Sequence, residues 1–456
     1  MKFTDTIAAI STPAAAGGIG IVRISGANAV EIAERIFVPV RRTHLTASKG
    51  YRAYFGRVTD GGEELDEAVC LVFRAPHSYT GEDVAEISCH GGMYITSRVL
   101  QAALSAGARL ANPGEFTERA FLNGKMDLSE AEAVMGMVSA QGEQAAKAAL
   151  NALDGALSRE IRAVAQQVIA AAAGIAAWVD YPDEDIEQVH ADNLRRTFAD
   201  ALARLDGLLS RFDAGQAVTE GVDTVIAGRP NVGKSTLMNR LAGTEKSIVT
   251  HIPGTTRDVV EQTVRLGNLV LHLSDTAGLH ETDNPVEQIG VERAKQKLER
   301  AVLILAVLDG SAPLTAEDRN VLEACRGRLC IAVLNKADRG AVVTDAEIAP
   351  YTPHIVRLSA KDGSGYDALC ACVQKVLGTD AFDPSAAMLA NARQKDCCMR
   401  ASDALRQAID ALDSGMTLDA VNVCADDCIG ALLELTGEKA GDAVVREVFS
   451  RFCVGK

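Results

Sequence analysis

The pattern of apolar and polar positions changes along the chain and divides it into four regions. Residues 1–118 contain short β-type runs, "GIGIVRIS", "EAVCLVF" and "DVAEISC", punctuated by glycine and proline, which predicts an α+β domain. Residues 119–218 and 379–456 are rich in Ala, Leu, Glu and Gln at helical spacing. We expect these two helical segments to form one discontinuous domain.

The region between the helical segments, residues 219–378, has a different pattern. Apolar runs such as "TVIAG", "LVLHLSD", "AVLILAVLD", "LCIAVLN" and "HIVRLSA" alternate with helical stretches and show little polar alternation. Strands of this kind are covered on both faces, as in a parallel sheet. The pattern predicts a doubly wound α/β domain that is inserted into the helical domain.

Two features stand out in the first helical segment. Asp127 or Ser129 is placed to cap its first helix, whose first turn is acidic, as the helix dipole favours. The run "AVAQQVIAAAAGIAAW", ending at Trp178, contains two glutamines and is shorter than the ~20 apolar residues of a membrane span. It therefore predicts a packed helix, which the acidic turn "DYPDEDIEQ" interrupts at Pro182.

The composition narrows the functional classes. Apolar residues make up 48% of the chain and charged residues 23%, as in a soluble globular protein. The net charge of −15 argues against a broad basic surface for nucleic acid but is compatible with a local basic site. Eleven cysteines without CxxC spacing, behind a start that is neither a signal nor a transit peptide, predict buried reduced thiols, no zinc and a cytoplasmic location.

The stretch "GRPNVGKST" carries the clearest chemical motif. It fits G-x-x-x-x-G-K-[ST], follows the run "TVIA" and leads into the helical run "STLMNRLAG". In such a loop the backbone amides face phosphate oxygens, the lysine reaches the β- and γ-phosphates, and the serine ligates Mg²⁺. The predicted contacts are Asn231, Val232, Gly233, Lys234, Ser235 and Thr236.

Three later segments predict a guanine nucleotide. In "LNKAD", Asp338 can accept hydrogen bonds from guanine N1–H and N2–H₂, which adenine does not offer. "LSDTAG" puts Asp275 at a strand end near the Mg²⁺ shell, and "LSAK" adds a backbone contact to guanine O6. The predicted contacts are Asp275, Thr276, Ala277, Gly278, Asn335, Lys336, Asp338, Ser359, Ala360 and Lys361. The order and spacing of these segments resemble a Ras-like GTPase.

The catalytic group is less directly indicated. Ras-like enzymes carry a water-orienting glutamine after the D-x-x-G glycine, and this chain has Leu279 there. Thr256, in "HIPGTTRD", is a candidate to complete the Mg²⁺ shell. Glu287 lies 12 residues after Asp275 and is a candidate to position water, with a solvated helix-start carboxylate as the alternative interpretation.

Segments from all four regions resemble the MnmE (TrmE) family of tRNA-modification GTPases. They include "GIGIVRISG", "SYTGEDVAEISCHGG", "NPGEFTERAFLNGKMDLSEAEAV", "GRPNVGKS", "TTRD", "DTAGL" and the terminal "RFCVGK". The chain departs from the family at Val454, where isoleucine is usual, and at Pro253, where alanine is common. The resemblance implies a multidomain protein with an α+β folate-binding domain, an all-α helical domain and an inserted Ras-like α/β G domain of the P-loop NTPase type.

The resemblance also implies an activity, cofactors and partners. Family members are homodimeric GTPases that use Mg²⁺ and K⁺ and form a heterotetramer with the FAD- and NADH-dependent MnmG (GidA). Together the two proteins add an aminomethyl or carboxymethylaminomethyl group to C5 of the wobble uridine of certain tRNAs. The implied one-carbon donor is a tetrahydrofolate derivative, either 5-formyl- or methylene-tetrahydrofolate.

Residue roles follow from the resemblance, position by position. The K⁺ positions of the family match Asn231, Thr250, Ile252 and Thr255, and the Mg²⁺ positions match Ser235 and Thr256. Thr250, Thr255 and Thr256 also join the expected GTP contacts, and Glu287 matches the water-positioning glutamate. The folate contacts match Arg23, Glu86, Lys125 and Lys456. Basic side chains suit the glutamate tail of a folate, and a carboxylate suits the N–H donors of its pterin.

Cys453, fourth from the end, has three interpretations. A prenyl anchor needs aliphatic residues after the cysteine and a permitted last residue, and Gly455 and Lys456 break that pattern. A core thiol at a helix end is the second interpretation. The third, implied by the resemblance, is a nucleophile or thiol near the one-carbon chemistry, which places Cys453 beside Glu287 as a catalytic candidate.

Two other functions remain as alternatives to this prediction. A ribosome-assembly GTPase would usually carry a basic RNA-binding domain, which the net charge of −15 disfavours. A membrane-anchored signalling GTPase rests on Cys453 alone, and we predict no membrane anchor.

Overall fold

The computed structural model describes residues 4–41, 43–180, 190–243, 261–275, 299 and 301–456. The chain forms two compact units, each assembled from separate stretches of sequence. The first unit contains Met1–Met135, Leu153–Leu205 and Asp396–Lys456, and the second contains Gly136–Ala152 and Asp206–Lys395. The acidic turn predicted around Pro182 lies outside the described residues.

A seven-stranded sheet lies in the first unit. Its strands are β1 (Ile7–Ile10), β2 (Ile19–Ser25), β3 (Phe37–Pro39), β4 (Arg52–Asp60), β5 (Glu63–Phe73), β6 (Val84–His90) and β7 (Arg109–Leu110). The spatial order is β3-β4-β5-β6-β2-β1-β7, with β1 and β7 parallel and the other neighbours antiparallel. The three runs singled out in the sequence form β2, β5 and β6, so those strand predictions are confirmed.

Helices account for much of the rest of the described chain. They are α1 (Ala29–Ile36), α2 (Met93–Ser105), α3 (Glu115–Leu122), α4 (Leu128–Ser139), α5 (Glu143–Leu153), α6 (Ala156–Asp180), α7 (Ala191–Ser210), α8 (Phe212–Thr219), α9 (Lys234–Gly243), α10 (Ala316–Ala324), α11 (Asp345–Ile348), α12 (Tyr366–Val376), α13 (Ala392–Asp413), α14 (Leu418–Thr436) and α15 (Asp442–Ser450). Helices α1 and α2 cover one face of the seven-stranded sheet, where Val22, Val58 and Ile87 are fully buried.

The start of α4 is capped reciprocally by its own residues. Glu130 N donates to Asp127 Oδ1 at 3.0 Å, and Asp127 N donates to Glu130 Oε2 at 2.8 Å. Ser129 instead bonds to Asp127 and to Ser158. Asp127 is therefore the cap, and the alternative of Ser129 is wrong.

Helix α6 is longer than the sequence analysis expected. It runs for 25 residues, and its segment Ala156–Val179 has the length and composition of a membrane-crossing helix, with a mean hydropathy of 1.3. One stripe of the helix, which includes Ile161, Val168 and Ile175, is fully buried, and the helix packs along α14. A buried stripe at this spacing is typical of a packed helix in a globular core, and it joins the two helical segments of the sequence.

The second unit contains a six-stranded sheet. Its strands are β8 (Val222–Ala227), β9 (Glu261–Leu266), β10 (Leu269–Asp275), β11 (Leu303–Asp309), β12 (Cys330–Asn335) and β13 (Ile355–Arg357), in the order β13-β12-β11-β8-β10-β9. Only the edge strand β9 is antiparallel to its neighbour among these described strands. The carboxyl ends of β8, β10, β11, β12 and β13 meet at one edge of the sheet, where ligands bind in open α/β sheets.

Candidate functional site

The phosphate loop, residues 228–235, connects β8 to α9. Gly228 and Gly233 hold φ angles of 153° and 100°. A Cβ on Gly228 would lie 2.3 Å from Val307 O, and one on Gly233 would lie 2.2 Å from Asn335 Nδ2, so only glycine fits at either position. Lys234 Nζ donates to Gly228 O at 2.5 Å and to Arg229 O at 3.1 Å, which holds the ammonium group across the loop.

Asn335, at the end of β12, connects the phosphate loop to the segment after β13 by hydrogen bonds. Its Nδ2 donates to Val232 O at 2.8 Å, and its Oδ1 accepts from Ala360 N at 2.9 Å. The side chain is buried, with both of its polar atoms satisfied by backbone groups. Asn335 therefore acts as a structural link between the phosphate loop and the segment after β13, rather than as an exposed contact.

The side chains that are open to a nucleotide lie around this link. Asn231, Ser235, Thr236, Asp338 and Lys361 are exposed, and Asp338 sits in the short 3₁₀ turn Ala337–Arg339. The Ser235 hydroxyl, in the first turn of α9, is a hard oxygen donor of the kind that Mg²⁺ prefers. Ser359 and Ala360 are buried, and their backbone amides donate to Ser364 O and to Asn335 Oδ1, both at 2.9 Å.

Several predicted site residues fall in the parts of the chain that the structure does not describe. Thr250, Ile252, Thr255, Thr256, Thr276, Ala277, Gly278 and Glu287 lie outside the described residues, as do Pro253 and Leu279. Asp275 ends β10, and its backbone pairs with Ile226 of β8, next to the phosphate loop.

A second group of polar residues lies in the first unit, on β2 and β6. The register pairs Arg23 with Glu86, and Arg23 Nε donates to Glu86 Oε1 at 2.8 Å. The Arg23 guanidinium also lies 5.3 Å from the ring centre of Tyr79 and 5.5 Å from that of Phe116. We call these four residues the Arg23 cluster; its ion pair is largely buried, which strengthens the attraction between the charges.

The C-terminal tail, residues 451–456, reaches the same place. Lys456 O accepts from Phe116 N and Cys453 O accepts from Gly114 N, both at 3.3 Å. Ser11 Oγ donates to Gly455 O at 3.2 Å. The chain end is thus fastened by its backbone beside the Arg23 cluster, because Phe116 belongs to both.

Lys125 approaches from another loop. Its Nζ donates to Pro76 O at 3.2 Å, in the segment that also carries Tyr79. All four residues expected to contact folate lie in the first unit. Arg23 and Glu86 belong to the Arg23 cluster, Lys456 ends the tail beside it, and Lys125 contacts the segment that carries Tyr79.

Cys453 lies beyond the end of α15 and is exposed. The interpretation as a core thiol at a helix end is therefore wrong. Seven other cysteines are buried, and burial raises the pKa of Cys70 and of Cys428 to about 12, which keeps these thiols protonated and inert.

Comparisons with known proteins cover the whole chain. A family model described as the GTP-binding protein TrmE N-terminus matches residues 6–125, and one described as the MnmE helical domain matches residues 128–453. The tRNA modification GTPase MnmE of Symbiobacterium thermophilum is 45% identical, with 99% of each chain covered. The proteins of the same name from Moorella thermoacetica and Lactobacillus delbrueckii subsp. bulgaricus are 42% and 41% identical, and at least 98% of each chain is covered.

The chain belongs to the MnmE family. The predicted family and the predicted enzyme class, a GTPase, are therefore confirmed, as is the fold class of an α+β N-terminal part, a helical part and an α/β P-loop part.

The structure places further residues beside the predicted site residues of this MnmE-family chain. Tyr79 and Phe116 flank Arg23, although both lie inside segments quoted for the family resemblance. Asp309, at the carboxyl end of β11, accepts a hydrogen bond from Lys336 Nζ at 2.7 Å. The sequence signal that could have indicated Asp309 is a carboxylate at the end of a parallel strand. No sequence signal indicated that Tyr79 and Phe116 lie beside Arg23, because the three residues come from distant parts of the chain.

Proposed function

We propose that this MnmE-family chain couples GTP hydrolysis to the modification of tRNA wobble uridines. Together with an FAD- and NADH-dependent MnmG-type partner, it adds an aminomethyl or carboxymethylaminomethyl group to C5 of the wobble uridine. A tetrahydrofolate derivative, 5-formyl- or methylene-tetrahydrofolate, supplies the one carbon. The proposal places the complex in the cytoplasm, with tRNA as its substrate.

The observation that carries the folate proposal is the Arg23 cluster. A folate offers a flat pterin with N–H donors and a carboxylate tail. The cluster offers a carboxylate on Glu86, an aromatic wall of Tyr79 and Phe116, and the guanidinium group of Arg23, and the adjoining tail carries the cationic residue Lys456. Aromatic faces suit stacking and paired cations suit carboxylates, so the two sets of groups are complementary.

Cys453 and Lys125 take different roles in this proposal. The Cys453 thiol is exposed on a tail whose backbone is fixed beside Phe116, so it is accessible to a reactant at the cluster. Lys125 steadies the segment that carries Tyr79 and offers its ammonium group to the folate tail. Both roles place this chain's own residues around a bound folate, which itself carries the one-carbon chemistry.

The second sheet carries the proposed nucleotide chemistry. Lys234 and the phosphate-loop amides hold the phosphates, Ser235 and Thr256 hold Mg²⁺, and Asp338 reads guanine. Asn231, Thr250, Ile252 and Thr255 are the proposed K⁺ ligands, and Glu287 is proposed to position the attacking water. When bound, K⁺ supplies positive charge that offsets charge developing on the phosphate oxygens.

We assign these roles to three domains. Residues 1–118 form the folate-binding domain, residues 119–218 and 379–456 form the helical domain, and residues 219–378 form the G domain. Support comes from the two separate sheets and from α6 and α14, which pack together although one precedes and the other follows residues 219–378 in sequence.

The test is nucleoside mass spectrometry of tRNA from cells that lack this protein. We expect wobble uridines without the C5 substituent, and restoration by the wild-type gene. Arg23→Gln should fail to restore them, because the cluster loses its guanidinium. Purified Arg23→Gln should bind 5-formyl-tetrahydrofolate about tenfold more weakly, or worse, as one charge-assisted contact predicts, while its GTP turnover stays normal.

Arg98→Gln is the matched control. Arg98 also pairs with a carboxylate, Glu63, and also lies over a tyrosine, Tyr94, but on the helix side of the same sheet. It should restore the modification and bind folate normally. Cys453→Ser, with intact folding and GTPase activity, should lose the modification. Normal wobble uridines in cells without the protein would overturn the functional proposal.

A further inference from the structure

Two residues of the nucleotide site hold left-handed backbone conformations without being glycine. Asn231, in the phosphate loop, has a φ of 64°, and Lys336, after β12, has a φ of 65°. Such conformations are unfavourable for residues with a Cβ and persist where surrounding contacts hold them. The two residues contact each other directly, because Lys336 Nζ donates to Asn231 O at 2.9 Å.

A third residue fixes this contact. Asp309 Oδ2 accepts from the same Lys336 Nζ at 2.7 Å, and Asp309 Oδ1 accepts from Ser311 N at 3.0 Å and from Ser311 Oγ at 2.6 Å. Only 13% of the Asp309 side chain is exposed, so little solvent competes for these bonds. Burial alone would raise the pKa of Asp309, but the bonds from Lys336 and Ser311 outweigh it and lower the pKa, so the carboxylate is charged at neutral pH.

The segment that follows Asp309 makes a separate contact with the same loop. Arg229 Nε donates to both carboxylate oxygens of Asp318 at 3.1 Å. Asp318 is 2% exposed and is itself fixed by the reciprocal cap with Thr315 at the start of α10. The stretch from Asp309 to Asp318 is therefore linked to the phosphate loop on both sides of Pro230, directly at Arg229 and through Lys336 at Asn231.

We propose that Asp309 is a positioning residue of the nucleotide site: it fixes the Lys336 ammonium group and, through it, the left-handed conformation of Asn231. Asp309 acts through Lys336 and touches no nucleotide. One consequence rests on the proposed function, in which Asn231 is a K⁺ ligand: Asp309 then also sets how strongly K⁺ activates GTP hydrolysis.

The first measurement is GDP affinity, by titration of the full-length protein with a fluorescent GDP. Asp309→Asn keeps the shape of the side chain but removes the charge that holds Lys336. We expect the Kd for GDP to rise about tenfold, the effect of one charge-assisted hydrogen bond. Ser311→Ala removes one of the bonds that orient Asp309 and should raise the Kd by a smaller factor.

A double-mutant cycle separates positioning from a general structural role. If Asp309 acts through Lys336, Lys336→Met should weaken GDP binding, and adding Asp309→Asn to it should change little further. Asp345→Asn is the matched control, since Asp345 pairs with Arg357 on the exposed surface of the same unit. The control should keep wild-type affinity. Unchanged affinity in Asp309→Asn, or additive effects in the double variant, would overturn the proposal.

The K⁺ concentration that gives half-maximal GTP hydrolysis is a measurement that a loss of stability alone would not change. Asp309→Asn should need a higher K⁺ concentration for half-maximal GTP hydrolysis at saturating GTP, with an unchanged melting temperature in the GTP-bound state. If the wild-type chain hydrolyses GTP equally in K⁺ and Na⁺, the K⁺ assignment fails, and the GDP titrations decide on Asp309 by themselves.

Discussion

Arg119, on α3, is the most deeply buried charge among the described residues that form ion pairs. Its side chain is 0% exposed, and it donates to Asp5 Oδ1 and to Glu115 Oε1 at 2.9 Å. Burial alone would raise the pKa of Glu115, but hydrogen bonds from Arg109, Asn112 N and Arg119 outweigh it, so the pKa of Glu115 is lowered. The ion cluster fastens α3, which carries Phe116, to the start of β1.

Glu115→Gln should destabilise the first unit by about 3–5 kcal/mol, because it leaves Arg119 buried with one ionic partner fewer. The lowered pKa in the folded state means that Glu115 stabilises the fold above its ordinary pKa of about 4.3 and loses this effect as the pH falls through the folded value. The difference between wild type and variant should therefore be full at pH 7 and shrink below about pH 4.

Urea unfolding at several pH values measures this difference. Glu447→Gln is the control, since Glu447 forms an exposed pair with Arg451, which directly follows α15, and its neutralisation should change stability by less than about 0.5 kcal/mol. A Glu115→Gln variant as stable as the wild type at pH 7 would show that the buried cluster does not hold α3.

In helix α6, packing against α14 determines which face of the helix is buried. From Val168 to Val179 its sequence is apolar all round, yet Val168 is fully buried whereas the adjacent Ile169 is 41% exposed. Adjacent residues on a helix point about 100° apart, so the stripe that faces α14 excludes one of them. Which residues belonged to the stripe was not evident from hydropathy, because both flanks are rich in alanine.

The two neighbours allow a matched test. Val168→Asp buries an unpaired carboxylate against α14 and should destabilise the first unit by more than about 3 kcal/mol. Ile169→Asp places the same group at the exposed face and should cost less than about 1 kcal/mol. Trp178 is the one tryptophan of the chain and lies on α6, so its fluorescence during urea unfolding reports the element directly. Equal costs for the two variants would contradict the packing of α6.

At the scale of the whole molecule, one face of the seven-stranded sheet stands out. Helices α1 and α2 cover the other face, while Val38, Val40 and Phe55 are 56–66% exposed. The three residues are neighbours, since β3 pairs with β4 and Val40 N donates to Phe55 O. Clustered apolar side chains at the edge of a sheet are typical of interaction surfaces, and we propose that these three residues form part of the contact of the homodimer that the family resemblance implies.

Phe55→Glu should shift the protein from dimer to monomer at micromolar concentration, because it puts a charge into the proposed contact. Met93→Glu is the control: Met93 is similarly exposed, at 59%, but lies at the start of α2. Sedimentation equilibrium of the wild type and both variants measures the fractions of dimer and monomer. Dimeric Phe55→Glu, or an equal loss of dimer in both variants, would place the dimer contact elsewhere.

Much of the fold could be predicted because local patterns of apolar and polar residues indicate many of its strands and helices. Continuous apolar runs indicated β8, β10, β11, β12 and β13, since strands covered on both faces need no polar alternation. Strands β1, β3, β4, β7 and β9 were not singled out. They are short or mixed in character, and they become strands by pairing with neighbours. For β1, β3, β4 and β9 a partner is the next strand along the chain, whereas β7 pairs with the distant β1.

The sequence by itself determined the phosphate loop and the family, and it predicted Asp338 as the group that reads guanine. The loop and the Asp338 segment each depend on residues within one short stretch, where backbone geometry and spacing decide the chemistry, and the family depends on several such stretches. Only the tertiary structure showed that Arg23 meets Phe116, that the chain end is fastened beside them, and that Asp309 holds Lys336. These contacts join residues tens to hundreds of positions apart, and local periodicity carries no record of them, because they exist only once the sheets and helices have packed.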